Sequence, residues 1–228
     1  LGLVQLESYL SPGISKAFFN KKASFLARLG SGSACRSIEG PMIVWGAHAN
    51  ITGSSDLIGV KFPCEVHSNY NNFQDTILLV DKGEKQVSST VGHDLMHGHP
   101  FAEQRFEQAH SNMDALIGVL KTGDLKAFIS IVEREALTLH AMMMSSDPYF
   151  ILMKPNTLEI INKIWAFRKK TGLHICFTLD AGANVHVLFP ENEAKEIQEF
   201  IKKALVMHCQ NEQFIQDSLG DGAQPIKI

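Results

Sequence analysis

The sequence predicts an α+β fold, on three observations. Short β-branched runs cluster between residues 42 and 80, long helical segments follow, and a strand pair and a final helix close the chain. Strands and helices do not alternate as regular βαβ units, which argues against a doubly wound parallel sheet. No internal repeat and no long low-complexity segment points to a solenoid or a disordered tail.

Each element has its own signal. Ile14, Ala17, Phe18, Phe25, Leu26 and Leu29 share one face of a helix over 14–29, with Ser11-Pro12-Gly13 before it and Gly30 after it. Met42–Trp45 and Leu57–Phe62 read as strands, separated by the loop Gly53-Ser54-Ser55, and Thr76–Val80 reads as a third. Segments near 101–120, 124–143 and 156–170 carry helical periodicity, with Gly123-Asp124 dividing the first two. Met142-Met143-Met144 ends the second as flexible core filling. His174–Leu179 and Val185–Phe189 predict an antiparallel pair around Gly182. Glu191–Leu205 predicts the last helix, and Pro225–Ile228 a short edge strand.

Composition narrows the function. The chain has 228 residues, 45% of them hydrophobic and 20% charged, enough for one large domain or two small ones. A net charge of −3 supplies no basic field for nucleic acid. No apolar run approaches the roughly 20 residues that cross a bilayer. Cys35, Cys64, Cys176 and Cys209 are widely spaced and form no CxxC pair, the pattern of free thiols in a reducing, cytoplasmic protein.

The chemistry concentrates in Arg28-Leu-Gly-Ser-Gly-Ser-Ala-Cys-Arg-Ser37. Gly30 and Gly32 remove side-chain bulk, so the backbone can fold around a large anion. Ser31, Ser33 and Ser37 add hydroxyl donors, and Arg36 adds a fork-shaped cation suited to phosphate or carboxylate. Backbone amides of such a turn form an anion-binding concavity. A serine-rich turn with one surface arginine is the plainer reading of the same string. Two common nucleotide motifs are excluded: a dinucleotide fingerprint needs glycine where Cys35 stands, and no GxxxxGK[ST] occurs. Cys35 reads as a small packing residue ahead of a nucleophile.

The string Gly30-Ser-Gly-Ser-Ala-Cys-Arg-Ser37, with Ile38-Glu39-Gly40 and the Val44-Trp45 strand, resembles the mevalonate diphosphate decarboxylases of the GHMP kinase superfamily. Thr178-Leu-Asp-Ala-Gly-Ala-Asn184 resembles that family's Asp-Ala-Gly-Pro-Asn segment, and Val87-Ser88-Ser89-Thr90 its serine segment. The resemblance implies a two-half architecture, a partial ribosomal-S5-like N-terminal half over 1–73 followed by a ferredoxin-like half over 74–228. It implies ATP-dependent decarboxylation of mevalonate 5-diphosphate to isopentenyl diphosphate, with magnesium carried by ATP, and a homodimer. Within that reading Asp180 takes the hydroxyl proton and Arg36 orients the substrate. Ser31, Gly32, Ser33, Ser88 and Ser89 contact it, and Asn184 orients the Asp180 loop. The family's lysine-bearing strand and nucleotide-phosphate loop would precede Leu1. A small-molecule kinase of the same superfamily and a noncatalytic phosphate-ligand-binding homologue are the competing readings.

Two departures stand out: Pro41 replaces a second glycine after Gly40, and Ala183 replaces the usual proline. Neither removes a reacting group. Alone, Asp180 also reads as a turn-capping aspartate, and a helix N-cap explains one of Ser88 and Ser89. His93, His97 and His99 have spacing compatible with zinc, but no cysteine or carboxylate pattern completes the set, so solvated or hydrogen-bonded histidines are the better reading.

Overall fold

The computed structural model describes residues 1–11, 13–83 and 95–224. The chain divides into two compact units: Leu1–Glu65 joined by the segment that starts at Gly220, and Val66–Leu219.

In the first unit, α1 (Gly2–Leu10) buries Val4, and its Glu7 pairs with Lys22 of α2 (Lys16–Gly30) at 2.6 Å. Ser15 starts α2 by accepting the Phe18 amide on Oγ at 3.2 Å, an N-cap that satisfies one of the orphan donors of the first turn. One tight 3-10 turn, Gly32–Ser37, follows directly. Strands β1 (Ile43–Trp45) and β2 (Gly59–Lys61) then form an antiparallel pair with Val44 opposite Val60.

The segment from Gly220, read from the sequence as part of the C-terminal half, returns to this first unit. The Ala223 amide donates to the Ser37 carbonyl at 3.1 Å. A Cβ on Gly40 would lie 2.4 Å from the Gly222 nitrogen, and one on Gly222 would lie 2.5 Å from the Ile38 carbonyl oxygen. Backbone meets backbone here, so the crossing needs glycine on both strands of the chain.

The second unit is a four-stranded antiparallel sheet in the order β4-β5-β3-β6, built from β3 (Gln74–Leu78), β4 (Cys176–Leu179), β5 (Val185–Phe189) and β6 (Phe214–Ser218). Helices α3 (Ala102–Thr122), α4 (Leu125–Met144) and α5 (Pro155–Thr171) connect β3 to β4. Helix α6 (Ala194–Phe200), prolonged to Leu205 by a wider turn, precedes β6. Strand, helix, strand, strand, helix, strand is the ferredoxin-like order. The expected α+β class and ferredoxin-like C-terminal half are therefore present.

Register explains the core. Leu78 stands opposite both Val185 and Phe214, so the two-residue period sends Leu78, Leu179, Val185, Val187 and Phe189 to one face. That face packs on Ile160, Ile161 and Ile164 of α5 and on Ile197, Ile201 and Leu205 of the last helix. Each such side chain contributes about 1.5–3 kcal/mol on full burial. The opposite face carries Asp75, Ile77, Thr178 and His186. Between α3 and α4, Gly123 takes φ +76°, and Asp124 starts α4 by accepting the Ala127 amide at 3.0 Å.

One of the two edge strands, β6, is not anticipated by the sequence. Four of its five residues are exposed, so Phe-Ile-Gln-Asp-Ser shows no alternating buried face to be read. Pro225–Ile228 lies outside the described residues. Among the described residues no helix is long and apolar enough to cross a membrane.

Candidate functional site

The first unit holds the anion-binding candidate. Ser31 leaves α2 in extended geometry, φ −157° and ψ 125°, and its carbonyl accepts the Ala34 amide at 3.0 Å, which tightens the turn. Gly32 is fixed by contact: a Cβ there would meet the Trp45 indole at 2.7 Å. Cys35 is 1% exposed, and burial raises its thiol above the usual range despite the neighbouring Arg36 charge. It is an inert packing residue, as the sequence predicted. Its carbonyl accepts from Ser24 Oγ at 3.0 Å, and the same hydroxyl accepts the Gly59 amide at 2.9 Å. One buried serine thus ties the turn to α2 and β2. The residues on either side of Cys35 face outward: Ser31, Ser33, Arg36 and Ser37 are all exposed. The Arg36 guanidinium makes no ion pair with the described residues, so it is free to meet an anion.

The second unit holds the acid–base candidate. Asp180 follows β4 directly and is exposed. Its carbonyl accepts the Gly182 amide at 2.7 Å, closing a tight turn that permits no longer excursion. Two buried side chains hold that turn from opposite ends. His140 of α4, 1% exposed, places Nε2 at 3.2 Å from the Asp180 carbonyl oxygen. Thr157 of α5, 0% exposed, donates its hydroxyl to the Ala183 carbonyl at 2.7 Å and accepts the Lys154 amide at 3.1 Å. Burial lowers the His140 pKa, which the hydrogen bond to the carbonyl only partly offsets. The ring is neutral, and Nε2 carries the proton because a carbonyl can only accept. Asn184 does not touch the Asp180 carboxyl: its Oδ1 accepts the Asp81 amide at 3.0 Å, linking the turn to the end of β3.

Beside the turn lies a cleft of about 340 Å³, lined by residues 181–184, by Asp81 and Lys82, and by Ile151 and Lys154. Its volume suits a small ligand. Two lysines give it cationic character, although Lys154 leans toward Asp81 at 3.9 Å. A larger groove of about 610 Å³ runs over α4, but its carboxylate is already committed. Glu133 accepts Arg168 at 2.7 and 2.9 Å and the Trp165 indole at 2.9 Å, so the one carboxylate lining the groove is spent on structural partners.

Ser88, Ser89 and His93 lie outside the described residues. His99 is buried, with Nε2 at 3.1 Å from the Met142 carbonyl and Nδ1 accepting the Phe101 amide. Both ring nitrogens are thereby occupied. Sequence reasoning missed His140 and Thr157. The signal for His140 was present: Ile129, Glu133, Ala136, His140 and Met143 fall on one helical stripe, and all five are buried. A polar side chain on such a stripe needs a partner.

Residues 76–226 match the family described as the mevalonate 5-diphosphate decarboxylase C-terminal domain. A diphosphomevalonate decarboxylase of Ganoderma lucidum is 30% identical over 187 residues, covering 79% of this chain and 46% of that protein. A mevalonate pyrophosphate decarboxylase structure from Streptococcus pyogenes superposes on 98% of this chain and 64% of its own, with a TM-score of 0.77 at 22% identity. A solved complex of MDDEF with MVAPP, AMPPCP and magnesium superposes on 92% of this chain and 60% of its own, with a TM-score of 0.76 at 28% identity. The chain spans about half the length of the curated relatives it matches. With two thirds of its residues inside one family's match, the chain belongs to the mevalonate 5-diphosphate decarboxylase C-terminal domain family.

Proposed function

We propose that the protein of which this chain forms part is an ATP-dependent decarboxylase of mevalonate 5-diphosphate, working in the cytoplasm in isoprenoid biosynthesis. The observation that carries the reading is Asp180: an exposed carboxylate on a turn gripped from both ends by buried donors, inside the family match. Rigid presentation of a carboxylate next to a cleft lined by residues 181–184 suits general-base chemistry. The relatives' activity, and the MVAPP, AMPPCP and magnesium held by one structural neighbour, support the substrate and cofactors.

In this reading Arg36 grips the substrate's carboxylate or phosphate through its fork of donors, while Ser31, Ser33 and the Gly32 backbone surround the diphosphate. Ser88 and Ser89 supply a further phosphate contact. Asp180 accepts the proton of the C3 hydroxyl. ATP, with magnesium on its phosphates, supplies the phosphoryl group that turns the C3 oxygen into a leaving group. Loss of phosphate and carbon dioxide then leaves the double bond of isopentenyl diphosphate. Positioning and charge neutralisation do most of the work in such a transfer.

The test follows carbon dioxide and ADP together in the full-length gene product, given ATP, magnesium and mevalonate 5-diphosphate. Equal release of both is expected. ADP without carbon dioxide would make the protein a kinase, and binding without either product would make it a noncatalytic homologue.

A further inference from the structure

We infer that His140 is a positioning residue for Asp180, acting through the backbone of the turn and not on the substrate. The inference rests on the decarboxylase reading of Asp180. It starts from an economy of contacts. His140 is a large polar side chain with 1% of its surface exposed, on the stripe of α4 that faces the sheet edge at β4. A polar ring in that position costs stability unless it is hydrogen-bonded, and an apolar residue would fill the same space without that cost. The bond it makes goes to the carbonyl of Asp180, the exposed residue that opens the turn whose next four residues line the cleft.

The geometry explains what that bond achieves. The Asp180 carbonyl already accepts the Gly182 amide at 2.7 Å, which closes the turn but leaves the peptide plane free to tilt about the end of β4. A second donor, from α4, fixes the plane in a direction the turn does not control. Thr157 does the same at the far end by donating to the Ala183 carbonyl at 2.7 Å. Four residues are therefore held at both ends by donors from two different helices, themselves packed on the sheet core. The Asp180 side chain inherits its direction from that backbone. Misplacing a reacting group by about 1 Å costs on the order of 10²-fold in rate. The ring is suited to the task because burial keeps it neutral, so its donor does not come and go as a charge near a carboxylate.

The experiment uses the full-length enzyme and compares His140→Leu, which removes the donor while keeping bulk, with His140→Gln, whose amide can donate from a similar reach. Steady-state kinetics for His140→Leu should show kcat lowered about 10- to 100-fold, with KM for mevalonate 5-diphosphate changed less than about threefold. His140→Gln should recover most of that loss. Equal losses in both variants, or a loss carried by KM, would overturn the positioning role. So would a His140→Leu enzyme that turns over like wild type. Asp180→Asn, run in parallel, separates the two ideas: full activity there removes the reading on which the inference stands, whereas an inactive Asp180→Asn beside an unaffected His140→Leu refutes the inference alone. Where His140→Leu fails to fold, Thr157→Val takes its place with the same kinetic criterion. The ring nitrogens of wild-type His140, observed by NMR, give an independent readout. A neutral Nε2–H tautomer is expected between pH 7 and 8, and the Nδ1–H tautomer would overturn the inference.

Discussion

Asp75 of β3 and His186 of β5 meet at 2.8 Å, carboxylate to ring Nδ1, on the face of the sheet opposite the apolar core. The Asp75 hydrogen bond raises the His186 pKa, burial opposes it, and the charges of Asp75 and Asp180 raise it further. The folded-state pKa therefore exceeds the unfolded value of about 6.5. Stability from this pair is fully present below about pH 6.5 and is lost as pH rises through the folded pKa. Asp75→Asn should destabilise the protein most near pH 6 and progressively less toward pH 9. Denaturant titrations across that range check it, and a deficit that grows with pH would refute it.

His140 acts in the opposite direction. Its folded pKa is depressed, so its contribution is present above about pH 6.5 and fades as pH falls through the folded value. In His140→Gln the acid limb of the stability curve should flatten, read by the same titrations between pH 4 and 7.

Asp180→Asn keeps the size and the turn but removes the proton acceptor. Turnover should fall by about 10²–10⁴-fold, the usual yield of a positioned acid–base group, with substrate affinity within tenfold. A variant retaining a tenth of wild-type kcat would exclude Asp180 as the base.

Arg36→Lys tests geometry against charge. An ammonium is a point charge and cannot reproduce a two-pronged contact, so kcat/KM for mevalonate 5-diphosphate should drop well over tenfold, while thermal stability stays unchanged because Arg36 is exposed. Unaltered kcat/KM would remove Arg36 from the site.

Glu133→Gln takes from the half-buried Arg168 the carboxylate charge that meets both of its terminal nitrogens and leaves it the Ile175 carbonyl. A loss of about 3 kcal/mol is expected. Thermal unfolding should register it at about 2–4 °C per kcal/mol for a chain of this size.

Local patterning made most of the helices and the β4–β5 pair legible in the sequence, because their buried faces repeat at the helical or strand period. The candidate reacting groups were singled out for a different reason. Arg36 sits in a string dense with glycine and hydroxyl side chains and Asp180 on a tight Ala-Gly turn, and the resemblance of both strings to one family's motifs set them apart from their plainer structural readings. What stayed hidden was long-range. His140 and Thr157 reach the Asp180 turn from 40 and 26 residues away, and no local pattern records such a partner. Strand β6 shows too little buried face to announce itself, and the return of the chain at Gly222 is written only in two glycines that look like ordinary loop residues.

That return has a consequence for how the molecule is made. Ribosomal synthesis delivers the turn around Gly40 before the second unit and its partner around Gly222 only after the entire second unit has emerged. The first unit thus waits, with a backbone cleft open, while the ferredoxin-like unit completes itself from its own contiguous stretch. Long-separation contacts of this kind are slow to close and leave the chain vulnerable in the interval. A nascent chain stalled just before Gly220 should protect its second unit from protease and leave its first unit open to cutting, and release of the segment that starts at Gly220 would then confer resistance on the unit made before it.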